Sequence, residues 1–449
     1  MAKKPTVRYV CDNCGALSSS WTGRCRNCGE WNTLSQQLNV DDRGAIGGQP
    51  LTVLAVDGSL EAGEEAGRLS SGLSEADLVF GGGIVAGSVS LIAGQPGIGK
   101  STLLLQLAYN LAQRQPVLYV SGEESVHQIG LRANRLGAHH PQLKLATSTT
   151  ANDIAATISS GDYKLVIVDS IQTVSVNEIA AAVGTVSQIT NAARLLSAAA
   201  KSSNTALMLV GHVTKEGSIA GPKVLEHAVD VVLQLEGDRY GGFKILRAVK
   251  NRYGNTNEVG IFEMTDNGLQ AVQNPSAALL AERQASDGSI VLAAMEGSRA
   301  LLVEVQALVN PTAYGYPKRT ASGIDLNRVN LLVAMLERRT KLKLADKDIY
   351  INIVGGVRLS EPAADLAVVM AIASAAKGMQ LKQNAVVFGE VGLSGEIRHV
   401  PQIEKRLAEA KKLGFAAAIG PPVLSGKKPL GLLSVSNARA ALNTFLEKD

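Results

Sequence analysis

Residues 89–104, VSLIAGQPGIGKSTLL, constrain the fold of this chain more than any other stretch. A short apolar run (Val89, Leu91, Ile92, Ala93) leads into Gly94-Gln95-Pro96-Gly97-Ile98-Gly99-Lys100-Ser101-Thr102, and a leucine-rich stretch follows. From Gly94 to Ser101 every fixed position of G-x-x-x-x-G-K-[ST] is satisfied. Such a loop works by turning backbone N–H groups and a helix N-terminus onto phosphate oxygens, so a strand must enter it and a helix must leave it. Gly94, Gly97 and Gly99 permit backbone conformations and a closeness that a side chain would block. Lys100 supplies a point charge for the β- and γ-phosphates, and the Ser101 hydroxyl ligates Mg²⁺. A chance glycine-rich turn is the competing reading, and the flanks disfavour it. The expectation is a nucleoside-triphosphate site lined by residues 94–102.

The chain has 449 residues, enough for two or three domains with sizeable cores. With 46% hydrophobic and 19% charged residues it falls in the ordinary globular class, and 45 glycines suit an α/β chain with many tight turns. A net charge of +4 is too small to argue for nucleic acid, so any basic surface must be local. No apolar run reaches the length of a membrane span, and MAKKPTVRYV lacks a signal-peptide core, which places the chain in the cytoplasm and off the membrane.

All four cysteines lie within residues 11–28, as Cys11-x2-Cys14 and Cys25-x2-Cys28. Each knuckle sets two thiolates on one tight turn, and the set of four makes a closed tetrahedral zinc site with no open position for catalysis. Residues 1–35 are too few to bury a core of their own, so the metal supplies the folding energy. Disulfides are the alternative, disfavoured in a cytosolic chain. Trp21, Arg24, Arg26 and Trp31 either touch nucleic acid or protein or pack the small module. Residues 36–67 read as a linker with one strand at Leu51–Val56.

Residues 68–270 read as the nucleotide domain, a parallel sheet with crossover helices. Leu103, Leu104, Leu107 and Leu111 recur at helical spacing after the phosphate loop. The strand Val117–Val120 ends in Ser121-Gly122-Glu123-Glu124-Ser125, where either glutamate can orient an attacking water or simply cap a helix. The apolar run at 165–168 closes on Asp169, a Walker B pattern whose carboxylate completes the Mg²⁺ shell with Ser101. A strand at Thr205–Val210 leads to His212, placed to sense a γ-phosphate. A helix over 187–201 buries Ile189, Ala193, Leu196 and Ala200. The segments Thr173–Thr185 and Thr214–Lys223 are too polar for core, and Lys215 and Lys223 are candidate phosphate contacts to a polymeric ligand.

Lys250-Asn251-Arg252-Tyr253-Gly254 resembles the KNRFG motif of the bacterial RadA (Sms) family, with Tyr for Phe. The phosphate loop, the GEES turn, the TKEGSIAGPKVLEH stretch and the four-cysteine module also resemble that family, in its order and over essentially the whole chain. The resemblance implies a RecA/DnaB-type ATPase core using ATP, Mg²⁺ and Zn²⁺. It also implies a hexameric ring on single-stranded and branched DNA in recombinational repair, with the RecA recombinase and other repair proteins as partners. By the same resemblance Glu123 is preferred over Glu124 as the water-activating residue. Lys250 and Arg252 would reach across a subunit boundary to a neighbour's phosphates, and Arg252 joins the candidate DNA contacts.

The remainder, 271–449, begins with a polar junction over 271–289. Expected strands lie at Gly288–Ala293, Ala300–Leu308, Asp348–Val354 and Ala385–Glu390. One amphipathic helix starts at Pro362 with Leu366, Val369, Met370 and Ala373 inward, and another carries Ile403, Leu407, Ala410 and Leu413. This part is similar to the proteolytic domain of Lon. Its serine position corresponds to Ala363 and its lysine position to Glu404, with Lys405 one residue away, so neither nucleophile nor base is expected. The expected role is an oligomerising platform, with Lys318–Arg319, Arg338–Lys343 and Lys405–Lys412 either DNA-binding or merely solvated. The fold class expected overall is α/β: a RecA-like P-loop ATPase core, an N-terminal four-cysteine zinc module and a C-terminal Lon protease-like α+β domain. A DNA-dependent ATPase motor is thus the leading expectation, ahead of an ATP-dependent protease and a signalling phosphotransfer protein.

Overall fold

A computed structural model describes residues 7–11, 16–38, 68–213, 219–220, 223–237, 242–313, 315–382, 384–423 and 429–447. The expected strand at Leu51–Val56 lies outside the described residues. The chain divides into two compact units, Met1–Ala62 and Gly63–Asp449.

In the first unit Val7–Cys11 pairs antiparallel with both Leu17–Ser18 and Leu34–Leu38. Among the described residues, Cys11, Cys25 and Leu34 form its buried apolar cluster, with Tyr9, Ala16 and Cys28 packed against them. So small a cluster cannot offset the chain entropy of ordering the module, and a metal must close the balance.

The second unit is built on a ten-stranded sheet. Val89–Gly94 lies between Ala206–Val213 and Val231–Gly237, all parallel, followed outward by Leu165–Asp169, Val117–Ser121 and Leu143–Thr147. Val89–Gly94, Val117–Ser121 and Leu165–Asp169 are buried along their whole length because helices cover both faces, which is why they read as nearly continuous apolar runs. Lys100–Ala112 buries Leu103, Leu104, Leu107 and Leu111 on one face. Val186–Ser203 buries Ile189, Ala193, Leu196 and Ala200 on the other. Ser125 opens Val126–Leu136 with a reciprocal capping box to Gln128.

Three departures from the sequence expectation have physical causes. The sheet does not stay parallel: Phe243–Asn251, Val259–Thr265 and Gly268–Ala271 continue it antiparallel. The links between them are far shorter than the dozen residues a crossover needs. The 173–185 segment is not all surface, since Val174 and Val176 are buried beneath it. The 271–289 junction contains a helix, Pro275–Leu280, capped by the Asn274 side chain. Ile261, Val272 and Leu279 belong to one apolar cluster with the C-terminal residues, so the core runs across the expected boundary at 271.

The C-terminal part has a seven-stranded mixed sheet in the order Arg319–Ser322, Lys347–Ile353, Arg299–Pro311, Ser289–Glu296, Ala385–Val387, Ala417–Gly420, Leu432–Ser434. The expected strand over 385–390 breaks, its end pairing separately as Glu390–Val391 with Ile397–Arg398. The helix after Pro362, Asp365–Lys377, is not amphipathic: every residue from Asp365 to Ser374 is buried. It runs between the sheet and the helices Leu326–Thr340 and Ala438–Phe445. A helix covered on all sides needs no polar stripe.

Candidate functional site

The phosphate loop sits where the sequence puts it, between a buried strand and the helix Lys100–Ala112. Gly97 has φ +78° and open space where a Cβ would stand, whereas a Cβ on Gly99 would meet Met264 Cε at 2.7 Å. Gln95, Pro96 and Gly97 face solvent, Ile98 anchors the turn in the core, and Thr102 is half-buried. Lys100 Nζ folds back to donate to the carbonyls of Gly94 (2.8 Å) and Gln95 (3.1 Å). Burial pulls the ammonium below its ordinary pKa, with Asp169 and Glu123 opposing that pull.

Asp169 ends its strand against the loop, accepting from Ser101 Oγ at 2.7 Å and from Tyr119 OH at 2.6 Å. Tyr119 is the residue the sequence reading missed. Its position in an apolar strand looked like core, yet burial and the Asp169 charge and hydrogen bond push the phenol well above its ordinary pKa, so it stays a donor. A tyrosine inside an otherwise aliphatic strand next to a catalytic sheet edge was the available signal.

Glu123 and Glu124 are sharply distinguished. Glu124 is held by Arg132 in two hydrogen bonds of 2.8 and 2.6 Å. Glu123 Oε1 accepts a hydrogen bond from Ser170 and lies 3.2 Å from His212 Nε2. Burial works to raise the Glu123 pKa, but the hydrogen bonds from Ser170 and His212, with the charges of His212 and Lys100, outweigh it and hold it below its ordinary value. The strand carrying Glu123 is not next to the phosphate-loop strand, because Ala206–Val213 and Leu165–Asp169 intervene. Glu123 approaches the site by way of Ser170 and His212 on those two strands' ends.

The 250–254 turn divides its labour. Asn251 Nδ2 donates to the carbonyls of Val79 and Phe80, both at 3.2 Å, and its Oδ1 accepts from Tyr253 N at 2.9 Å. A Cβ on Gly254 would stand 3.0 Å from Gly81 Cα. Lys250 Nζ donates to the carbonyls of Glu226 and Val229, each at 2.7 Å. Burial and the neighbouring Arg252 charge lower its pKa. Arg252 is 59% exposed, its guanidinium 3.8 Å from Asp230. Asp230 is buried and also faces Lys201 at 3.4 Å. Lys215 lies outside the described residues, and Lys223 begins the helix Lys223–Ala228.

In the zinc module the sulfurs of Cys11, Cys25 and Cys28 lie within 4.8 Å of one another, while Cys14 lies outside the described residues. Asn27 N points at Cys25 Sγ from 3.4 Å, as a backbone donor does to a thiolate ligand. Three converging sulfurs with such a donor fit a tetrahedral zinc. Trp21 and Trp31 are 55% and 67% exposed, so they do not form the module's core.

In the C-terminal domain Ala363 is buried in the turn Pro362–Ala364, and Glu404 is exposed on the first turn of Ile403–Lys412. The run Lys405–Lys412 is not one basic face. Arg406 is fully buried, donating to both carboxylate oxygens of Glu361 (3.0 and 2.7 Å) and to the Ala293 carbonyl.

Residues 59–218 match the family described as AAA domain, residues 9–36 the rubredoxin metal binding domain, and residues 326–423 subunit ChlI of Mg-chelatase. The DNA repair protein RadA of Bacillus subtilis is 48% identical over 455 residues, covering 99% of each chain. That of Pseudomonas aeruginosa is 46% identical over 456 residues, covering 100% of each, and that of Aquifex aeolicus 45% over 424, covering 94% of this chain and 95% of its own. Fold and site define a RecA-like P-loop ATPase that uses ATP and Mg²⁺, with an N-terminal zinc ribbon and a C-terminal Lon protease-like domain. More narrowly, the chain belongs to the RadA family of DNA repair proteins. Among the described residues no helix is long and apolar enough to cross a membrane.

Proposed function

We propose that the chain is a DNA-stimulated ATPase motor, acting in the cytoplasm as a homo-oligomeric, six-membered ring on single-stranded and branched DNA. There it promotes branch migration during recombinational repair alongside the RecA recombinase. Its working parts are residues 1–35 (zinc), 36–67 (linker), 68–270 (motor) and 271–449 (platform). One observation carries the reading: Asn251 ties the start of the 250–254 turn to the Val79 and Phe80 carbonyls, yet Arg252 next to it points to solvent.

In this mechanism Glu123, kept ionised by its neighbours, accepts the proton of the attacking water. The loop 94–102 holds the phosphates, and Lys100 turns from its carbonyl partners to the β/γ oxygens. Ser101 and Asp169, which face each other at 2.7 Å, would hold Mg²⁺, and the ion would supply positive charge against the transferred phosphoryl. Arg252, with Lys250 beside it, supplies positive charge to the next protomer's nucleotide, so that turnover depends on how neighbours sit. DNA gripped by Lys215, Lys223 and Arg252 then changes that seating.

The test is ATPase activity titrated with single-stranded DNA at several salt concentrations. DNA raises the rate, and the effect weakens as salt rises. Lys100→Ala abolishes turnover. Arg252→Ala retains nucleotide binding and loses on the order of 10³-fold in kcat, as removal of an arginine finger does. A rate indifferent to DNA at every salt concentration defeats the motor reading.

A further inference from the structure

The loop that carries Arg252 is gripped from the C-terminal domain. Residues 252–258 join Phe243–Asn251 to Val259–Thr265, and their middle, 254–257, is exposed. The strands Ser289–Glu296 and Arg299–Pro311 form a hairpin whose tip is Glu296-Gly297-Ser298-Arg299. That tip presses on the loop. Ser298 N donates to the Asn257 carbonyl at 2.6 Å, and Ser298 Oγ to Glu258 Oε2 at 2.6 Å. Gly297 has φ +60°, and a Cβ there would stand 1.8 Å from the Asn257 carbonyl oxygen, so only glycine allows this approach.

On either side the tip is bolted to the motor sheet. Glu296 pairs with Arg247, and Arg299 Nη1 donates at 2.6 Å to Glu75, whose same oxygen accepts from Ile261 N at 2.9 Å. From behind, Lys405 Nζ donates to the Ser298 carbonyl at 2.9 Å, tying the tip to Ile403–Lys412. The flanking ion pairs suffice to join two domains, since Glu75 and Arg247 lie on regular elements. The Ser298 bonds do something else, because they end on the loop itself, at its last two residues.

We propose that Ser298 is a positioning residue for Arg252, and that through it the C-terminal domain governs how Arg252 is presented to the neighbouring nucleotide. The proposal rests on Arg252 acting in trans. With the Ser298 bonds made, the 252–258 loop has both ends fixed, by Asn251 at one and by the hairpin at the other. Without them its second half is free to sample other conformations, and Arg252 is less often aimed. A shift of the C-terminal domain, transmitted by Lys405 and the hairpin, becomes a change in turnover without any contact between that domain and the nucleotide.

The test mixes two full-length variants. Lys100→Ala protomers cannot turn over but offer Arg252, and Arg252→Ala protomers have an intact site but no arginine to offer. The expected result is that the mixture recovers ATPase activity. Adding Ser298→Ala to the Lys100→Ala protomer lowers the recovered kcat between about twofold and tenfold, the range one hydrogen bond supports, with the KM for ATP unchanged. The same substitution in the Arg252→Ala protomer leaves the recovered rate alone, and Ser298→Thr in either position is silent. In the nucleotide-free protein, Ser298→Ala speeds amide exchange over residues 252–258. Equal effects in both protomers, or none in either, overturn the proposal, as does unchanged exchange. A mixture that recovers nothing overturns the trans reading beneath it instead.

Discussion

Glu123 and Glu124 share a side chain and an address, but tertiary partners assign them different work. Arg132, eight residues further along, claims both oxygens of Glu124. Glu123 is left between Ser170 and His212, which arrive from strands distant in sequence and favour its charged form. Glu123→Gln is therefore expected to retain nucleotide affinity and lose about 10²-fold or more in kcat, whereas Glu124→Gln loses far less. The sign of the pH dependence follows from the lowered pKa. A lowered pKa keeps the charged form dominant down to the ordinary glutamate value of about 4.3, and that form is lost as pH falls through a still lower value. The Glu123 limb of a kcat/KM–pH profile, which reports the nucleotide-free protein, consequently lies on the acid side of about pH 4.3, and a limb at neutral pH that vanishes in Glu123→Gln contradicts the assignment. At this scale the types of residue at the site were readable from motif and strand end, and the family resemblance preferred Glu123, but the physical reason for the preference was not readable, because Arg132, Ser170 and His212 are brought there by folding.

At the scale of elements, helix Ile403–Lys412 shows how a charge pattern misleads. Lys405, Arg406, Lys411 and Lys412 read as a basic face, yet Arg406 points inward and is wholly buried against Glu361, Ala293 and the Phe388 ring. The guanidinium holds the helix to Ser289–Glu296 and to the segment entering the buried helix Asp365–Lys377. Removing Arg406 leaves the partly buried Glu361 carboxylate with the Met295 N–H alone and the Ala293 carbonyl without its donor, so Arg406→Met is expected to cost about 1–3 kcal/mol. Thermal unfolding of the full chain checks this, and a midpoint equal to the parent's refutes it. Periodicity located these helices because their apolar spacing is local. It could not tell that Asp365–Ser374 is enclosed on every side, since that depends on what strands and helices fold over it.

At the scale of the molecule, the described residues of the zinc ribbon bury too little apolar surface to stand without the metal. A strong chelator should unfold residues 7–38 while the ATP affinity of the remaining chain is kept. Loss of nucleotide binding in step with zinc release would show that the two are not independent. The ATPase part and the C-terminal part, by contrast, share a core through Ile261, Val272 and Leu279, so the junction that composition suggested is a packed seam.

The chemistry of this chain was written in short range. A phosphate loop, a Walker B aspartate and cysteine knuckles are each defined by spacings within a few residues, which backbone geometry and coordination geometry demand wherever they occur. What lay beyond reach of the linear text was what tertiary contact builds: the hold of Tyr119 on Asp169, the approach of Ser170 and His212 to Glu123, the inward turn of Arg406, and the grip of Ser298 on the loop of Arg252. Each of these joins residues that are adjacent only after the sheet order and the packing of its helices are set, and a hydrogen bond between distant segments leaves no periodic trace in either one.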